Sequence, residues 1–175
     1  MKRKFIYIIF LIIISFSITA CQNSITNSFK GESNTSSSSK KDSSDKLAIV
    51  GDIKVNDPIQ NEAARAAVNG YVALMNGDAD EAGKYINATN GKADFEASVK
   101  AYHDGTKKHH TWGAEKISCV GARTINDNVV EVDLAYINLK FPVKVVCENK
   151  VWKVESLTAL LSSLTNAIEK KKSGS

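Results

Sequence analysis

The apolar residues of this chain change their spacing twice. Between residues 56 and 103 they recur at helical intervals, between 117 and 155 they alternate, and between 157 and 168 they return to helical intervals. A period near 3.6 buries one stripe of a helix, and a period of two buries one face of a strand. Helices grouped first, strands grouped next and one helix last exclude an alternating parallel α/β architecture. The expectation is an α+β domain of N-terminal helices packed on an antiparallel sheet, with an amphipathic helix at the end.

Local signals place the elements. Asp57 before Pro58 is an N-cap followed by a first-turn proline. Ala64, Ala67, Val68, Tyr71 and Met75 then keep helical spacing up to Asn76-Gly77. Asp78 can cap a short second helix with Ala82, Tyr85 and Ile86, and a third, carrying Phe95, Val99 and Tyr102, follows Asn90-Gly91. Residues 117–123, 129–136, 139–147 and 151–155 read as four strands, with turns at 126–128 and 148–150. Strands this close in sequence predict an antiparallel meander. Pro142 falls inside the third and cannot donate to a ladder, so a bulge or an unpaired edge is expected there.

Alternation assigns the two faces of that sheet. Ile117, Cys119, Val130, Val132, Leu134, Tyr136, Leu139, Phe141, Val143, Val145, Trp152 and Val154 form the inward set. Glu131, Asp133, Lys140, Lys144, Lys153 and Glu155 point outward, together with Val120, Ala122, Val129, Ala135 and Val146. The inward set has no carboxylate and no histidine, so a general acid or base would have to come from a helix, with Asp94, Glu96 and His103 as candidates. Asp104, His103, His109 and His110 match no metal-site spacing and read as a polar connector; no metal or other cofactor is expected. Trp112 lies in the same connector, either in the core or at a pocket mouth. Cys119 and Cys147 share a face, but in the first and third strands of a meander their backbones stand about 10 Å apart. That is beyond the roughly 7 Å a disulfide spans, so free thiols are expected. Phosphate-binding loops, dinucleotide fingerprints and hydrolase triads do not occur.

The N-terminal segment bears on compartment. Lys2, Arg3 and Lys4 precede an apolar run at residues 5–14 and an exit segment from Ser15 to Ala20, the order of a secretory leader. The apolar run is shorter than the roughly 20 residues of a membrane span. Ile18-Thr19-Ala20-Cys21 resembles the bacterial lipobox. The resemblance implies cleavage before Cys21 and a diacylglyceryl group on its thiol, and two acyl chains suffice for stable anchoring. Without the three basic leader residues, the 23 Lys and Arg of the chain fall to 20 against 19 Asp and Glu. That balance gives no reason to expect nucleic acid as a partner. Residues 21–46, rich in Ser, Asn, Thr and Lys, bury too little apolar surface to fold and read as a tether. The folded domain is expected over 47–156, followed by the terminal helix and the basic tail Lys170 to Lys172 over 157–175.

The order of "YVALMNGDADEAGKYI" and "ENKVWKVES" around three helices and a curved sheet resembles the nuclear transport factor 2-like superfamily. More narrowly, it resembles small Gram-positive lipoproteins that carry such a domain. The resemblance implies a cystatin-like cone whose pocket Tyr71, Tyr102, Trp112, Tyr136, Phe141 and Trp152 would line. Because the inward sheet face has no carboxylate and no histidine, the expected role is that of a cell-surface binding module, not an enzyme, for a protein partner or a small apolar ligand. Alternatives are a host-protection protein, giving immunity or phage exclusion, and an isomerase or dehydratase. The stripe of Leu157, Leu160, Leu161, Leu164 and Ile168 either packs on its own domain or docks on a partner, including a second copy of the chain.

Overall fold

The computed structural model describes residues 46–109 and 114–173. Cys21, the leader, the tether up to residue 45, His110 and Trp112 lie outside the described residues. The elements in chain order are β1 (Ala48–Ile53), α1 (Pro58–Met75), α2 (Ala79–Tyr85), α3 (Lys92–His109), β2 (Glu115–Asn126), β3 (Val129–Tyr136), β4 (Leu139–Glu148), β5 (Val151–Val154) and α4 (Leu157–Ser173). Among the described residues the class is α+β: four helices and a curled five-stranded mixed sheet in the order β1-β2-β3-β4-β5.

The capping residues act as their chemistry dictates. The Asp57 side chain accepts from Gln60 N at 2.9 Å with Pro58 in the first turn, and Asp78 accepts from Glu81 N at 3.0 Å. Gly77, at φ 70°, carries the chain from α1 into α2 through the left-handed region that glycine enters without penalty.

Strands β2 to β5 form the expected meander, but the sheet as a whole is a correction. β1 lies outside β2 and parallel to it, with Ala48 opposite Glu115 and Val50 opposite Ile117. A parallel neighbour needs a crossover, which the three helices between β1 and β2 supply. A second correction concerns β2. Its register shifts between Cys119 and Gly121, so that Cys119 opposes Leu134 but Ala122 opposes Val132. The extra residue inverts the alternation. Ala122, expected outside, packs instead against the core.

Pro142 sits where a sheet tolerates it. Cys147 N donates to Asn128 O on the β3 side, whereas Glu155 N donates to Lys144 O on the β5 side. Even-numbered residues of β4 therefore turn their backbone groups away from β3. β5 pairs only with Val145 to Glu148, so the missing N–H of Pro142 falls where no strand would receive it.

α1 lies in the curl of the sheet. Ala63, Ala64, Ala66, Ala67, Val68, Gly70, Tyr71, Ala73, Leu74 and Met75 are all buried. Small side chains let it approach the sheet on one side and α2 on the other, where a Cβ on Gly70 would stand 3.0 Å from Ile86 Cγ1. α4 folds back against β4 and buries Leu157, Leu160 and Leu164. At roughly 2 kcal/mol for each leucine removed from water, that burial outweighs leaving the stripe open.

Candidate functional site

The space between α1 and the sheet is where the sequence predicts a pocket, and α1 places its largest side chain there. Tyr71 is fully buried, with its ring edge-on to Tyr136 at 5.7 Å and to Phe141 at 5.6 Å. Edge-to-face contacts at these separations are the favourable aromatic geometry. Tyr102 comes from α3 on the other side. Its ring lies 6.4 Å from that of Tyr71, and the two hydroxyls are 3.0 Å apart. Burial, reinforced by Tyr102 and Tyr136, pushes the Tyr71 phenol well above its usual range. Burial also raises Tyr102, against the opposing hydrogen bonds of Tyr71 and Thr106. Tyr136 is raised by burial, then by Tyr102 and Glu115. All three phenols are therefore neutral at physiological pH.

The expected lining thus divides. Tyr71, Tyr102, Tyr136 and Phe141 are brought together as a packed cluster in the curl of the sheet, with Tyr71 and Phe141 buried at its centre. Trp152 is half-buried opposite Cys147, on the other side of the sheet's length. A groove does open elsewhere, between the loop after α2, the first turns of α3 and the start of α4. Asn87, Asn90, Asp94, Phe95, Ser98 and Leu157 are among its lining, and its volume of about 40 Å³ admits a few waters.

The acid, base and metal candidates do not converge. Asp94 is exposed in the first turn of α3, and Glu96 pairs with Lys92 at 3.5 Å. His103, about two turns beyond Glu96, donates from Nδ1 to the Met75 carbonyl oxygen at 2.8 Å, and its ring covers Gly77. Asp104 pairs with Lys100 at 2.7 Å, and that partner lowers its carboxyl below the usual range. Among the described residues no three His, Cys, Asp or Glu side chains are placed to hold a metal ion.

Cys119 and Cys147 are free thiols. Cys119 is buried and donates to the Gly121 carbonyl at 3.2 Å; burial raises its pKa. Cys147 is half-buried. The terminal stripe packs on its own domain: Leu157, Leu160 and Leu164 are buried and so cannot form an exposed partner face. Leu161 and Ile168 are partly buried against the same core.

Two residues carry more than their sequence suggested. Asn76 reads as turn punctuation, yet its side chain holds the start of β1: Oδ1 accepts from Leu47 N at 2.8 Å and from Ala48 N at 3.0 Å. Ile137 is 60% exposed at the tip of the β3–β4 turn, with φ 54°. A β-branched residue in a two-residue turn was the available signal for it. Neither a family model nor a curated protein matches the chain.

Proposed function

We propose that this chain is an extracytoplasmic lipoprotein, anchored to the cell membrane through Cys21. Its nuclear transport factor 2-like domain serves as a non-catalytic module that binds a protein partner on its outer surface. The leader and the lipobox-like Ile18-Thr19-Ala20-Cys21 support the anchor. Helices seated in the curl of a sheet, in the order α1-α2-α3 before the meander, support the superfamily reading.

The observation that carries the choice of ligand is the Tyr71 cluster. In a cone of this kind the ligand chamber would lie between helix and sheet, and here that volume holds Tyr71 with its ring against both Tyr136 and Phe141. A small apolar ligand would have to displace a fully buried tyrosine. Surface recognition of a protein requires no such change.

Two measurements test the reading. Replacing Cys21 by Ala is expected to abolish acyl labelling and release the protein from the membrane fraction; unchanged retention would overturn the anchor. Native mass spectrometry of the protein taken from its own cells is expected to show no bound small molecule. A stoichiometric apolar ligand would overturn the protein-binding choice.

A further inference from the structure

The tip of the β3–β4 hairpin combines two features that a water-facing turn does not need. Tyr136 pairs with Leu139, leaving Ile137 and Asn138 as a two-residue turn. The left-handed position of such turns ordinarily falls to Gly or Asn. Here Ile137 takes it, at φ 54°, with 60% of its surface in solvent. A strained, exposed, β-branched residue at a tip is an outlier that points toward function.

The surroundings of the tip are basic. Ile117 pairs with Tyr136, so Lys116 flanks the turn on one side, and Lys140 follows it on β4; both are exposed. Lys171 donates from Nζ to Asn138 O at 3.4 Å, bringing the last turn of α4, with Lys170 and Lys172, to the same place. Among the described residues the acidic side chains at this end are Glu115, half-buried, and Glu169. Glu115 N also donates to Leu47 O at 2.9 Å. The chain from Cys21 therefore joins the domain, at Lys46, at the end that carries the tip.

We propose that this end of the domain docks on an anionic lipid surface, with Ile137 set into the headgroup boundary and the lysines on lipid phosphates. An apolar tip flanked by lysines fits a bilayer interface, where apolar and anionic layers lie within a few ångströms of each other. Each lysine near such a surface contributes about fivefold in partitioning. The inference rests on the lipoprotein reading for the side that faces the membrane: an anchor at Cys21 would enter the domain at Lys46, on the same end as the tip.

The test is amide hydrogen exchange of residues 137–140 in the full lipidated protein, on vesicles of phosphatidylcholine alone and with phosphatidylglycerol added. Exchange slowed about fivefold or more on the anionic vesicles, and restored by Lys116→Glu with Lys140→Glu, is expected. Ile137→Gly should also restore exchange while leaving the thermal midpoint unchanged or raised, which separates docking from folding. Equal exchange on both vesicles would overturn the proposal. So would equal protection by soluble polyphosphate without lipid, which has no layer for Ile137. Retention on phosphatidylcholine alone reports the anchor, so its failure is read separately from that of the tip.

Discussion

The side-chain amide of Asn76 pairs with both backbone groups of Ala48, accepting from its N–H at 3.0 Å and donating to its carbonyl at 2.9 Å. A residue just past the end of α1 thereby takes the place that a neighbouring strand would occupy beside β1. Asn76→Ala leaves these groups and Leu47 N without their partner. A loss of about 1–3 kcal/mol is expected, measured by urea denaturation, with faster exchange at the Leu47 and Ala48 amides. Asn76→Asp keeps the acceptor but sets a carboxylate oxygen against the Ala48 carbonyl, so it should recover only part of the loss.

Gly77 and His103 form a second joint at the same helix end. A Cβ on Gly77 would stand 2.7 Å from His103 Cγ, and φ there is 70°. Gly77→Ala is expected to cost more than the roughly 1 kcal/mol of left-handed strain alone. Adding His103→Ala should relieve the clash but not the strain, giving a coupling energy of at least about 0.5 kcal/mol in a double-mutant cycle.

The tyrosine cluster is expected to make stability fall at alkaline pH. Tyr71, Tyr102 and Tyr136 all have folded pKa values raised above those of the unfolded chain. Their contribution is fully present below the unfolded value of about 10 and is lost as pH rises toward the folded values. Denaturation midpoints should therefore show no tyrosine-linked fall below about pH 10 and decline above it. Tyr71→Phe removes the hydroxyl pair, costs about 1 kcal/mol at neutral pH and makes the alkaline decline shallower.

The thiols should stay apart under oxidation. Cys119 opposes Leu134 and Leu134 opposes Phe141, so Cys147 lies two strands away and six residues further along. That offset alone is about 20 Å. Intact mass should show no bond between Cys119 and Cys147, and alkylation of the native protein should reach Cys147 well before Cys119. A Cys119–Cys147 crosslink would contradict the sheet register.

Much of this fold was legible because side-chain periodicity is local. β3 spans Val129–Tyr136 as the alternation predicts, and the inward set from Ile117 to Val154 is buried or packed on the core. β1 was not legible: its six residues carry no clear alternation, and the group that holds its start, Asn76, is 28 residues from Ala48. The bulge at Val120-Gly121 was equally hidden, since an inserted residue inverts facing without altering composition. Alternation told which strand residues face inward, but not that Tyr71 would come from α1 to fill the space before them. For the terminal stripe, amphipathicity fixed that it must be covered, and only the fold chose β4 as the cover.

Pro142 has a consequence beyond tolerating its own position. It leaves the early part of β4 without one outward N–H, next to the place where β5 stops. At the opposite margin the Asn76 amide already occupies Ala48. Both margins of the sheet thus lack a complete row of donors and acceptors for an incoming chain. Molecules of this kind can be crowded side by side without the sheets of neighbours joining into a continuous ribbon.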